Sequence, residues 1–284
     1  MTGISQYTDF AAKNALFVDK TALLQKLVDE KFVLLSRPRR FGKSLLVSML
    51  TELFTNGVKN FQGKTIYERW HEKTYPALNL SFAGLTNPDT FEVELCTTLR
   101  NACYAAGFHG IYDFIPECKD FKTLSGRVVR QVLKGQQAVL LIDEWEDPLL
   151  ANLNDHSAND KLWNLMRYVC FWTRDSHAFW FVLVTGSTRN PHSSFIWDSF
   201  RNISKEPYYA ALLGYTSEEL QTNFGAYLSR CAERNQCSTA EVMAQIKRTC
   251  ARMSIGQDEI VQVYCPDDIH SFFCQEAARS CPTL

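Results

Sequence analysis

The sequence Phe32-Val33-Leu34-Leu35-Ser36-Arg37-Pro38-Arg39-Arg40-Phe41-Gly42-Lys43-Ser44 decides the fold. A short apolar run, 32–36, predicts a buried strand, and it enters a basic loop. The loop leads directly into Leu45, Leu46, Met49, Leu50, Leu53 and Phe54, whose spacing places them on one face of a helix. Strand, loop and helix in this order are the context of a phosphate-binding loop. In such a loop Gly42 lets the backbone approach a phosphate, while successive N–H groups and the helix N-terminus hold negative charge. Lys43 would reach the β- and γ-phosphates and Ser44 would hold Mg²⁺, which makes Arg39, Arg40, Phe41, Gly42, Lys43, Ser44 and Leu45 the candidate binding run. The usual first loop position is Gly, whereas Arg37 and then Pro38 stand here. Taken alone, the run also suits a basic turn capping a helix.

A second element narrows the reading. Residues 138–142 form another buried apolar strand and end in Asp143-Glu144. Beside a phosphate loop, Asp143 would be the carboxylate of a Mg²⁺ shell, and Glu144 would orient and deprotonate an attacking water. Without that loop, the pair equally suits a polar strand end, with Glu144 capping a turn toward Pro148. A third apolar strand, 179–184, ends in Thr185-Gly186-Ser187-Thr188-Arg189. In P-loop ATPases that insert a strand between the two motif strands, a hydroxyl at its tip senses the γ-phosphate, so Thr185 is the candidate. Arg189 is a candidate for stabilising transition-state charge, against the commoner role of an exposed loop arginine.

Further strands are expected at 77–82 and 208–213, and helices at 89–106, 124–133 and 160–172. Strands alternating with helices predict a three-layer α/β domain over residues 1–214, and the motifs at the strand ends make it a P-loop NTPase fold of the inserted-strand (ASCE) class. After Gly214 the apolar strands stop. Two capping boxes, Thr216 with Glu219 and Ser238 with Glu241, open helices. An extended piece at 260–264 and a last helix starting at Pro266-Asp267-Asp268 complete a C-terminal helical subdomain, 215–284, compatible with a winged-helix-like unit.

Over 284 residues, 30 Lys+Arg face 31 Asp+Glu, so net charge supplies no bulk attraction to nucleic acid or anionic lipid. The longest apolar run, 178–184, falls well short of the roughly 18 residues of a membrane helix. The first ten residues lack a signal peptide's basic-then-apolar order, and a cytoplasmic protein is the expectation. None of the ten cysteines has zinc-knuckle spacing, and the six histidines form no close pair, so small buried thiols are expected rather than a metal centre.

These motifs resemble those of the AAA-ATPase-like proteins, which are found widely in bacteria and sporadically in eukaryotes. Phe17-Val18-Asp19-Lys20-Thr21 is similar to their YVDKT signature, and residues 36–44 to their sRPRRFGKS, which makes Arg37 a family trait. Residues 141–148 resemble LIDEYDxP with Glu146 in place of the usual Asp, Thr185-Gly186-Ser187 resembles TGvs, and residues 213–220 resemble fGfTeeE. The Tyr-x-Gly-Tyr segment usual before the last motif is replaced by Arg252-Met253-Ser254-Ile255-Gly256. Many relatives continue into a nuclease-like domain of the PD-(D/E)xK type, an activity not carried over to this chain. The resemblance implies Mg²⁺-dependent ATP binding and hydrolysis driving a conformational switch, with Glu144, Asp143, Thr185 and Arg189 as catalytic candidates and Ser44 and Asp143 as metal ligands. The alternatives are a nucleotide-binding interaction or scaffold module with little turnover, and phosphoryl transfer to a small acceptor. A protein client is expected but not identified.

Overall fold

The computed structural model describes residues 6–12, 15–114, 118–187 and 197–278. Five strands, β1 (Phe32–Ser36), β2 (Ala77–Ser81), β3 (Ala138–Asp143), β4 (Phe179–Gly186) and β5 (Arg201–Asn202), form one sheet in the order β2-β3-β4-β1-β5. Every pairing in it is parallel. Strand β4 lies between the two motif strands β1 and β3, as the sequence led one to expect.

Along β3 the side chains alternate between two cores, because successive residues of a strand face opposite sides. Ala138, Leu140 and Ile142 join the core built with α4 (Phe91–Ala105), α6 (Phe121–Arg127) and α8 (His156–Thr173). Val139 and Leu141 join the core built with α2 (Leu24–Asp29) and α3 (Lys43–Asn56). Helices thus cover both faces in three layers, which is why β1, β3 and β4 read as unbroken apolar runs. The short helices α1 (Thr8–Ala12), α5 (Ile111–Phe114) and α7 (Asp147–Ala151) fill the connections, and a π-helical turn, Val128–Leu133, extends α6. No described helix is long and apolar enough to cross a membrane.

One expected strand is corrected. Residues 208–213 do not pair in the sheet; Pro207–Leu212 is a 3₁₀ helix that starts on Pro207, whose ring fixes a helical φ. Its buried Tyr209 and Ala210 serve two different cores. The sheet edge is instead β5, two exposed polar residues too short to leave a pattern.

Helices α9 (Ser217–Asn223), α10 (Gly225–Arg234), α11 (Thr239–Thr249) and α12 (Pro266–Ala278) follow, with an antiparallel hairpin of β6 (Arg252–Ile255) and β7 (Val261–Tyr264). Both capping boxes form in full. Leu220, Phe224, Leu228, Ile246, Ile269 and Phe273 make the local core, joined by Val18 from the N-terminal segment.

Candidate functional site

The parallel register brings the C-terminal ends of β1, β4 and β3 side by side, pairing Ser36 with Gly186 and Ile142 with Val184. This is where open α/β sheets leave a crevice. The loop leaving β1 keeps in register for one more step, with Arg37 N–H donating to the Gly186 carbonyl at 3.0 Å. It then turns through left-handed backbone at Arg40 (φ 70°) and Gly42 (φ 98°), and Gly42 opens α3. The left-handed φ, not lack of space, calls for glycine at 42, since an added Cβ would have only ordinary contact, 3.7 Å from Leu213 Cδ2.

Arg37 explains why the loop does without its usual first glycine. Its side chain is wholly buried, donates to the Ser36 carbonyl at 3.0 Å and to the Ser204 carbonyl, and reaches the Tyr209 carbonyl at 3.5 Å. Burial lowers its guanidinium to about 10, which leaves it charged at neutral pH. The other two arginines stay exposed and pair with different elements. Arg39 pairs with Asp147 at 2.7 Å, and Arg40 pairs with Asp267 of α12 at 3.0 Å. Phe41 turns away from the crevice into a small core with Ala210, Ile255, Val263 and Cys265. Leu45 packs half-buried against the α2–α3 core.

Lys43 is buried, and its ammonium donates to the carbonyls of Arg37 at 3.1 Å and Pro38 at 3.3 Å while pairing with Glu144 Oε1 at 3.1 Å. The exposed Ser44 hydroxyl donates to Asp143 Oδ2 at 2.6 Å, and the fully buried Thr185 hydroxyl donates to Asp143 Oδ1. Glu144 sits in left-handed backbone (φ 54°) immediately after β3. Lys43, Ser44, Asp143, Glu144 and Thr185, named from the sequence on three separate grounds, therefore meet at one point. Arg189 lies outside the described residues.

Oxygens of Ser44 and Asp143 are hard donors of the type Mg²⁺ prefers, and Ser44 opens outward, so the residues present fit that ion.

Two features went unread in the sequence. Glu146 is 1% exposed, and it accepts the Ser187 N–H at the tip of β4. Burial, reinforced by Glu144 and opposed by the Ser187 hydrogen bonds and Lys43, pushes its carboxyl up to about 7. An acid so near Trp145 and Pro148 was the available signal. Lys20, for which solvated surface charge is the ordinary expectation, is a partly buried strut: it donates to the Ala211 carbonyl and to both oxygens of Glu219, each at 2.7 Å. The adjacent Asp19 accepts from both Thr21 and Thr65, fixing the segment before α2.

Comparison with known proteins bears on this geometry. An uncharacterised protein in the vnfD 5′ region of Azotobacter chroococcum mcd 1 is 28% identical over 221 residues, which is 75% of this chain and 42% of that protein. The chain thus spans less than half of that relative's length. No solved structure matches the chain. A family model described as Predicted AAA-ATPase matches residues 1–194, taking in β1, its loop, the acidic end of β3 and the tip of β4. With the match covering well over half of the sequence, the chain belongs to the Predicted AAA-ATPase family.

Proposed function

We propose that this protein binds ATP with Mg²⁺ at the loop 37–45 and hydrolyses it, using turnover to shift residues 215–278 against the sheet. The observation that carries the reading is the continuous chain Ser44–Asp143–Thr185, flanked by the Lys43–Glu144 pair. It joins the start of α3 to the tips of β3 and β4 in one line of oxygen donors.

The backbone from Arg39 to Leu45 and the N-terminus of α3 supply N–H groups toward phosphate oxygens, and the Lys43 ammonium exchanges its carbonyl partners for them. Ser44 and Asp143 would hold the ion, which would supply charge neutralisation at the phosphates. Glu144, released from Lys43 by that exchange, orients water and takes its proton. Thr185 donates its hydroxyl toward the γ-phosphate side of the crevice. Arg189 would add positive charge there. Residues 1–214 act as the nucleotide-binding part, and 215–284 as the part that responds.

The paired substitutions Glu144→Gln and Asp143→Asn test this. Glu144→Gln keeps shape and reach but removes the base, so ATP·Mg²⁺ binds as in wild type while single-turnover phosphate release falls by about 10²–10⁴-fold. Asp143→Asn weakens binding in Mg²⁺ but not in EDTA, and lowers turnover with it. Equal turnover in Glu144→Gln and an active wild type removes Glu144 from catalysis. Binding without turnover in wild type itself favours the interaction-module alternative.

A further inference from the structure

The turn after β3 and the tip of β4 carry the two groups that must face one reaction centre, Glu144 and Thr185, and they are fastened together by a third residue. Glu146 is buried and receives the Ser187 N–H, and the Ser187 hydroxyl bonds to it as well. One register step away, the backbone leaves no room for slack. A Cβ on Gly186 would lie 2.6 Å from Trp145 Nε1 and 2.7 Å from Glu146 Oε2, closer than real Cβ contacts come. Trp145 N–H donates to the Thr185 carbonyl at 3.2 Å, so backbone and side chain close the same joint. Glu144 itself is held in left-handed backbone, a conformation that persists only when its surroundings enforce it.

We infer that Glu146 is a positioning residue: by clamping Ser187 it sets the separation of the Glu144 turn and the Thr185 hydroxyl. This inference rests on the ATPase reading for its effect on rate, but not for the clamp itself. Glu146 acts through Ser187, whose N–H and hydroxyl it holds, rather than on the reacting atoms. A neutral side chain of the same shape preserves the clamp, because an amide oxygen accepts the Ser187 N–H as a carboxyl oxygen does.

The test compares wild type, Glu146→Gln, Glu146→Ala and, as background, Lys43→Ala. Two quantities are read: ATP turnover resolved into kcat and KM, and amide hydrogen exchange of the segment ending at Ser187. In Glu146→Ala, exchange at the β4 tip rises about tenfold or more while β1 and β2 keep their protection. Its kcat falls about 10–100-fold, the scale of a reacting group misplaced by an ångström, and KM stays within about twofold. Glu146→Gln restores tip protection and most of kcat. The inference is overturned if Glu146→Ala leaves tip exchange unchanged. It is equally overturned if exchange rises across the whole sheet, which is general loosening, or if Gln loses as much kcat as Ala, which makes the charge itself chemical. A wild type no faster than Lys43→Ala refutes the ATPase reading instead, and the exchange arm then still decides the clamp.

Discussion

At the scale of single residues, the site combines groups whose type announces their work with groups whose work depends on where they are buried. That Lys43, Ser44, Asp143 and Glu144 would meet was legible in the sequence, because a strand-loop-helix run and an acidic strand end at those spacings put them on neighbouring strand tips. Arg37 and Glu146 were not, because an arginine beside a basic loop and a glutamate beside two other acids look like surface charge until burial is known. Lys43→Ala is expected to abolish binding of a fluorescent ATP analogue while the protein stays folded, losing about 1–3 kcal/mol for the hydrogen bonds removed. Arg37→Ala should do the reverse damage, destabilising by about 1–3 kcal/mol for each buried carbonyl left unpaired, as urea denaturation would measure. Glu146 gives a pH signature. An acid titrating at about 7 when folded, against 4.5 in an ordinary setting, keeps its proton in the native state after the unfolded chain has lost it. Stability therefore falls as pH rises from about 4.5 to 7 and levels off above, each unit of difference corresponding to about 1.4 kcal/mol. Glu146→Gln should match wild type near pH 4.5 and exceed it at pH 8, by about 2–3 kcal/mol in denaturant titrations.

At the scale of elements, the strands of the sheet and the capped helices were readable where one physical pattern governed each. Unbroken apolar runs marked β1, β3 and β4, since each is covered on both faces. The segment 208–213 misled because its unbroken run of aromatic and apolar residues served a 3₁₀ helix wedged between two cores rather than a strand. Strand β6 escaped because Arg252-Met253-Ser254-Ile255 is half polar and owes its pairing to β7. One tight joint between elements is at Gly186. Gly186→Ala should destabilise by about 1–3 kcal/mol through overcrowding against Trp145 and Glu146, whereas Gly42→Ala should cost about 1–2 kcal/mol through its backbone conformation alone. Paired thermal melts separate the two causes if each is combined with Trp145→Phe: shrinking the neighbour rescues only the crowded site.

At the scale of the whole molecule, the sheet and the C-terminal helices are joined by charge as well as by apolar packing. Lys20 reaches Glu219, which also closes the capping box of α9, so one carboxylate serves the helix and the joint. A double-mutant cycle on Lys20→Met and Glu219→Gln should yield a coupling of about 0.5–3 kcal/mol, against nearly nothing for the exposed Lys161–Asp89 pair. The loop 37–42 is held from the same side: Arg40 pairs with Asp267, and Phe41 is seated by the hairpin. No sequence pattern announces that seat, because the residues forming it are remote in the chain. Arg40 and Cys265, whose thiol approaches the Arg40 carbonyl, stand 225 positions apart. That distance acquires a clock during synthesis. At about 5–20 residues per second, the hairpin leaves the ribosome on the order of 10–45 s after the loop does, and until then Phe41 has nowhere to go. A nascent chain interrupted before residue 252 would display the whole loop motif with its aromatic residue exposed, recognisable to a chaperone as unfinished. Completion of the hairpin thus marks the moment at which the loop's aromatic residue gains its seat.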